Sequence, residues 1–291
     1  MRFDPRVLRL TASTIALATC VGLASCKARR VAPAPLGSAT VAEQIASNAL
    51  GTNGDASAPA PSPPPPAQTS EDLVVEGFTP AVVSVPTDRT RARPLVVAAH
   101  GWDDSPEGQC GVWRAIVEDR AFVLCPRGFR MSNAPDKGFS WQGAGALAKE
   151  VDAAIDAVRA RHGAEIADGP ILYAGFSFGA TLGVEVVQRD PARFAYVVLA
   201  EGGEDAWTLD TARRFRALGG KRVLLMCALK VRMPTAVVMA ARLERGGVGA
   251  RAVLAKLPGK DEYIHWYDGP VADETRAQLD WLVEGDARWA R

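Results

Sequence analysis

The sequence is short of the residues from which metal centres are built. It has only three histidines and five cysteines in 291 residues, and no two cysteines form a C-x-x-C pair. Structural zinc sites draw four ligands from closely spaced cysteine and histidine side chains, so this composition argues against a zinc cluster. We expect neither a metal nor an organic cofactor.

An excess of charge of one sign is also lacking. The chain carries 34 Lys and Arg against 33 Asp and Glu, which gives a formal net charge of +1. Proteins that bind nucleic acid through its phosphates need a basic surface, and a balanced chain offers no argument for one. We therefore expect no nucleic-acid partner.

The N-terminal apolar run, Leu10 to Leu23, is too short to be a comfortable membrane span. It follows a basic stretch and ends in Leu23-Ala24-Ser25-Cys26, the arrangement of an export signal. The tetrapeptide resembles a bacterial lipoprotein lipobox, which implies a signal peptide over residues 1–25, cleavage before Cys26 and lipidation of its thiol. The alternative is an ordinary secretory signal peptide that leaves Cys26 unmodified.

The lipobox resemblance also sets an expected location. Lys27 follows the cysteine, and lipoproteins that lack Asp at this position are generally sorted to the outer membrane. We therefore expect a protein of the bacterial cell envelope whose membrane contact is a lipid anchor, at the outer membrane.

Residues 26–70 are predicted to form a disordered tether. They are rich in Ala, Pro, Ser and Gly, and residues 59–66 include six prolines. Such a segment favours polyproline II and buries too little apolar surface to offset its ordering entropy. The folded domain is accordingly assigned to residues 71–291.

Within the domain, short apolar runs alternate with helical patterns. This alternation predicts an α/β fold, a mostly parallel central sheet with helices on both faces. Edge strands are expected within residues 73–85, further strands at 94–99, 121–125, 171–174, 194–200, 223–228 and 250–257, and helices at 112–120, 146–162, 180–187, 209–218, 235–245 and 271–283.

One motif carries chemistry directly. The run from Gly175 to Gly179 reads G-x-S-x-G between a predicted strand and a predicted helix, the context of a nucleophile elbow. The sharp turn would expose the Ser177 hydroxyl above the sheet. A glycine-rich turn whose serine only caps the helix is the alternative.

A serine nucleophile needs an adjacent base, and there are three candidates. His162 ends a predicted helix, where a cation is favoured for other reasons. His100 directly precedes Gly101 at a strand end. His265 lies in the loop after the last predicted strand, where the base belongs in the chain order serine, acid, histidine, so we assign the base to His265.

These motifs resemble those of a known superfamily. The residues concerned are His100-Gly101-Trp102, Pro126-Arg127-Gly128, Phe139-Ser140-Trp141 and the elbow with Ala180. Together they are similar to α/β-hydrolases, and within them to esterases of the dienelactone-hydrolase and acyl-protein-thioesterase type. The resemblance implies an oxyanion hole formed by the backbone N–H groups of Trp102 and Phe178, and a loop-shaping role for His100.

The triad acid departs from the family pattern. The usual Asp follows the seventh strand, but the residues after Cys227 contain no carboxylate there. Some hydrolases take the acid from the end of the sixth strand, where Glu201 lies, and Glu201 is our assignment. Glu204, Asp205 and Asp261 are the alternatives, as is a dyad without an acid.

The combined prediction is a lipid-anchored serine hydrolase acting on small-molecule carboxylic esters. A serine peptidase, or a non-catalytic envelope lipoprotein that keeps the fold as a binding module, are the alternatives. The oligomeric state stays open, as does pairing of Cys110 with Cys125. Cys227, in an apolar strand, is expected to be a buried small hydrophobe.

Overall fold

The computed structural model describes residues 69–134, 137–255 and 267–290. Ten strands run in chain order: β1 (Thr69–Leu73), β2 (Ala81–Val85), β3 (Leu95–Ala99), β4 (Phe122–Cys125), β5 (Phe129–Arg130), β6 (Phe139–Ser140), β7 (Leu172–Phe176), β8 (Tyr196–Ala200), β9 (Arg222–Cys227) and β10 (Gly249–Leu254). Six helices alternate with them: α1 (Pro106–Val117), α2 (Ala144–His162), α3 (Phe178–Arg189), α4 (Leu209–Ala217), α5 (Met233–Arg245) and α6 (Pro270–Leu282).

Eight of the strands form one sheet in the order β1-β2-β4-β3-β7-β8-β9-β10. β1 and β2 pair antiparallel, as do β2 and β4, and every pairing from β4 to β10 is parallel. The predicted mostly parallel sheet is confirmed. β7 and β8 are adjacent and parallel, so the carboxyl ends that carry residues 177 and 201 are neighbours.

The central strands are buried on both faces, which explains their continuous apolar sequences. β3 reads LVVAA and β8 reads YVVLA, and every residue of both strands is buried. One core cluster joins one face of the sheet to helices α2, α3, α4 and α5. A second cluster joins the other face to α1 and α6, so the sheet is covered on both sides.

Helix α1 begins six residues earlier than the sequence pattern predicted, at Pro106 and not at residue 112. The Ser105 hydroxyl accepts a hydrogen bond from the N–H of Gly108 at 3.1 Å, and Pro106 occupies the first helical position. Both are standard helix-start signals. The apolar periodicity missed them because Gly108 and Gly111 weaken the pattern in the first turns.

The sheet also begins earlier than expected. Thr69 and Ser70, which the composition assigned to the tether, belong to β1 and pair with Val85 and Ser84 of β2. The pairing is made by the backbone, so a polar composition does not prevent it. The two-residue strands β5 and β6 pair antiparallel and form a separate small sheet.

A disulfide joins Cys110 of α1 to Cys125 at the end of β4, with their Cα atoms 5.8 Å apart. Both cysteines are fully buried. Because Cys110 lies among the residues of α1 that face the sheet, the bond ties this helix to the strand beneath it. Within the described part of the chain, none of the helices is both long enough and apolar enough to cross a membrane.

Candidate active site

Ser177 occupies the turn between β7 and α3. Its backbone has a positive φ of 51° with ψ of −112°, a conformation that a non-glycine residue adopts only under strain. The Ser177 N–H donates to the carbonyl of Ala200 at 2.8 Å, which ties the turn to the end of β8. This is the strand–turn–helix geometry predicted for a nucleophile elbow.

The two glycines of the motif are required by close approach. A Cβ at Gly175 would lie 2.5 Å from the Cα of Ala180, inside helix α3. A Cβ at Gly179 would lie 2.5 Å from the carbonyl oxygens of Ala99 and His100, at the end of β3. Any side chain at either position would push the helix away from the sheet, so the turn needs glycine at both.

The two segments expected to form the oxyanion hole lie side by side. Phe178 is the first residue of α3, so its N–H is one of the amides that have no partner within the helix. The N–H of Gly179 donates to His100 O at 3.1 Å and draws the loop after β3 against the elbow. The Trp102 and Phe178 rings meet edge to face, with their centroids 5.4 Å apart.

His100 is not positioned as the base. Its ring is fully buried, with Nδ1 2.8 Å from Gly101 O and Nε2 2.9 Å from Arg127 O, and it packs on Trp141 at 4.3 Å. Both ring nitrogens are thus engaged by backbone carbonyls of two loops. This geometry fits the loop-shaping role that the family resemblance implies.

His162 is also explained without catalysis. It is the last residue of α2, and its Nε2 lies 2.8 Å from Oε1 of Glu71 on the edge strand β1. His265, the predicted base, lies outside the described residues. Tyr267, two residues after His265 in the sequence, stacks on Phe176, the residue before Ser177, with ring centroids 5.7 Å apart.

Glu201 follows β8 with a positive φ of 56° and a buried side chain. Its Oε1 accepts hydrogen bonds from the N–H groups of Ala228 and, at 3.2 Å, of Leu229, just after β9. The carboxylate therefore reaches across to the end of the neighbouring strand.

Arg232 is a partner of this carboxylate that sequence reasoning missed. Its Nε lies 3.5 Å from Glu201 Oε2, and its guanidinium also forms an ion pair with Glu204. Burial opposes the Arg232 charge, but the Glu204 hydrogen bond and the two carboxylates outweigh it and raise the pKa of Arg232. Glu204 is thus engaged by Arg232, and Asp205 is exposed. Asp261 lies outside the described residues.

Cys227 ends β9 beside these groups and is confirmed as a buried free thiol. Burial, together with the negative charges of Glu201 and Glu204, raises the pKa of Cys227 to about 12. The thiol is therefore fully protonated at neutral pH and is not a competing nucleophile.

A cavity of about 520 Å³ opens beside Ser177. Its apolar wall contains Trp102, Val112, Phe176 and Tyr267, and its polar wall contains Gln109, Asp103, Asp104 and Asp268. A second cavity of about 440 Å³, beside Trp141 and Glu150, is lined by none of the predicted catalytic residues. No group of three metal-ligating side chains occurs among the residues described.

Sequence comparison finds no match: no protein-family model and no curated protein matches this chain. Comparison with solved structures does find similar proteins. A Klebsiella pneumoniae protein described as a dienelactone hydrolase superposes with a TM-score of 0.56 at 15% identity, covering 75% of this chain and 99% of its own. Esterase PE8 gives 0.52 at 19% identity, with 70% and 98% covered.

Acylaminoacyl peptidase from Pyrococcus horikoshii superposes with a TM-score of 0.51 at 11% identity, over 76% of this chain and 42% of its own. At these identities the likeness concerns the fold and not the substrate. The described chain has the α/β-hydrolase fold, as the sequence predicted.

Proposed function

We propose that this chain is a serine hydrolase that cleaves carboxylic esters through an acyl-enzyme on Ser177. The observation that carries the proposal is the strained elbow at residue 177, which borders a cavity large enough for a small ligand. Esterases and dienelactone-hydrolase-like proteins share this fold, which makes ester hydrolysis the first activity to test.

The proposed reaction begins with attack of the Ser177 hydroxyl on the ester carbonyl, while His265 takes the hydroxyl proton. The tetrahedral oxyanion would be held by the N–H groups of Phe178 and Trp102, which face charge that exists only in the transition state. His265 then returns the proton to the leaving alcohol. Water, activated by the same imidazole, releases the acid and restores the serine.

Peptide hydrolysis is a second candidate function, because an acylaminoacyl peptidase has the same fold. The same steps cleave an amide, with the amine as the leaving group. A panel that pairs p-nitrophenyl esters with p-nitroanilides of the same acyl groups separates the two activities by their relative kcat/KM.

A fluorophosphonate probe tests the serine mechanism directly. We expect it to label the purified native protein once, on the peptide that contains Ser177, because only an activated serine attacks the probe at a useful rate. Peptide mass spectrometry locates the adduct, and heat-denatured protein is the control. A native protein that stays unlabelled would favour the non-catalytic binding module.

We further propose that Cys26 carries a lipid anchor that holds the domain in the bacterial cell envelope, at the outer membrane. The support is the Leu23-Ala24-Ser25-Cys26 tetrapeptide, which lies outside the described residues. The buried disulfide between Cys110 and Cys125 agrees with export, since such bonds persist in oxidising compartments.

Changing Cys26 to serine is expected to move the protein from the membrane to the soluble fraction, because a serine cannot carry the thioether-linked lipid. Detergent phase partitioning measures the change, with the unsubstituted protein as the reference. A variant that still partitions wholly into detergent would place the anchor elsewhere.

A further inference from the structure

Helix α1 forms one wall of the cavity beside Ser177. Gly108, Gln109 and Val112 line it, and their spacing places them on one face of the helix. Gln109 is 3% exposed. Its Nε2 atom is buried and has no hydrogen-bond partner among the residues that the structure describes.

Two of the other carboxyl groups of this wall, those of Asp103 and Asp104, are hydrogen-bonded within the protein, and the third, that of Asp268, is exposed to solvent. Asp104 accepts hydrogen bonds from the N–H of Ser105 at 2.7 Å and of Gly101 at 3.4 Å. Asp103 accepts from the N–H of Gly138 at 2.7 Å and from Lys137. Since an unpaired buried amide is costly, the Gln109 amide is the group in this wall that a ligand would complete.

A second buried donor lies one turn further along the same helix. The indole Nε1 of Trp113 is also buried without a partner in the described part of the chain. Residues four apart share a helix face, so both donors lie on the side of α1 that carries Val112 and Gln109. Trp113 itself packs in the apolar cluster between α1 and the sheet and does not line the cavity.

We propose that Gln109 determines specificity by donating a hydrogen bond to a neutral oxygen of the ester, an ether, ketone or hydroxyl group in the part that enters the cavity. This inference rests on the proposed ester hydrolysis. The oxygen is neutral because Asp103 and Asp104 line the same cavity and repel an anion. The rest of the group is apolar, to match Trp102, Phe176 and Tyr267.

Charge in the cavity supports the exclusion of anions. The hydrogen bond from the Gly138 N–H, together with Lys137, lowers the pKa of Asp103, so this side chain is a carboxylate at neutral pH. The exposed Asp268 adds a third carboxyl group to the lining. An ester with a free carboxylate in this position would meet like charge.

Two esters of equal length test the proposal. In p-nitrophenyl 4-methoxybutanoate an ether oxygen replaces one CH₂ of p-nitrophenyl hexanoate, and isomers with the oxygen one or two positions nearer the carbonyl locate the amide. The measured quantity is the ratio of kcat/KM for the ether ester to that for hexanoate. We expect Gln109→Met to lower this ratio by about tenfold, the scale of one net hydrogen bond.

Comparing the ratio between proteins cancels the intrinsic reactivity of each ester. Gln188→Met is the matched control, because Gln188 of α3 also has a buried Nε2 without a partner among the described residues but does not line the cavity. It is expected to leave the ratio unchanged. Gln109→Leu provides a second apolar variant if the methionine variant folds poorly.

The alcohol side is tested with 3-methoxypropyl acetate and pentyl acetate, followed by acid release. Gln109→Met should change the ratio in one of the two sets, which also shows which half of the ester enters the cavity. If both ratios stay within twofold of the parent's, the proposal is overturned while ester hydrolysis stands. If the parent hydrolyses no ester and escapes the fluorophosphonate, the proposed function itself fails.

Discussion

Replacing Ser177 with alanine is expected to abolish ester hydrolysis, with kcat falling by roughly 10⁶, the scale on which serine hydrolases lose activity with their nucleophile. The variant should fold normally. The elbow is formed by close packing at Gly175 and Gly179 and by the Ser177 backbone N–H, none of which uses the hydroxyl. Turnover of p-nitrophenyl butyrate and the melting temperature measure the two effects.

The Ser177→Ala result has a direct control in the fluorophosphonate reaction. The alanine variant should not be labelled, whereas a Cys227→Ser variant should be, since the buried Cys227 thiol is fully protonated and takes no part in the chemistry. Full ester turnover by Ser177→Ala would remove the serine mechanism.

Glu201→Gln is expected to lower kcat by about 10⁴ with little change in KM. Glutamine can still accept the hydrogen bonds from Ala228 and Leu229, so the local structure should persist. In the proposed mechanism the substitution removes the negative charge that would stabilise the His265 imidazolium, and that stabilisation is needed mainly in the transition state. Steady-state kinetics on one p-nitrophenyl ester separates kcat from KM.

Glu204→Gln is the matched control, because Glu204 forms an ion pair with the same Arg232. We expect Glu204→Gln and Asp261→Asn each to lose much less kcat than Glu201→Gln. The reverse ranking of Glu201 and Asp261 would move the acid to the loop beside His265. Equal, small losses of kcat in Glu201→Gln and Asp261→Asn would indicate a Ser177–His265 dyad, or a charge supplied by Glu204 or Asp205.

The sequence predicted the sheet and the elbow well because both depend on local patterns. Buried parallel strands are continuous apolar runs, and β3, β7 and β8 all have that composition. The elbow is encoded by three fixed positions in five residues. Its strained dihedral angle at Ser177 is what the motif predicts, although contacts with the ends of β3 and β8 hold the turn in place.

The sequence could not predict contacts between distant segments. The pairing of Cys110 with Cys125 depends on a Cα separation of 5.8 Å between a helix and a strand. The contact of Arg232 with Glu201 depends on the adjacency of β8 and β9. The stacking of Tyr267 on Phe176 also joins residues that are far apart in the sequence. The residues that line the cavity could therefore be identified only from the structure.

The strained residues of the site have a consequence for how this domain evolves and is engineered. Among the described residues, four that are not glycine have a positive φ, and Asp103, Ser177 and Glu201 are three of them. Each such conformation costs about 1–3 kcal/mol, against a typical domain stability of about 5–15 kcal/mol. Selection for thermal stability alone would therefore favour glycine at these positions, and a more stable descendant would be expected to lose the proposed activity first.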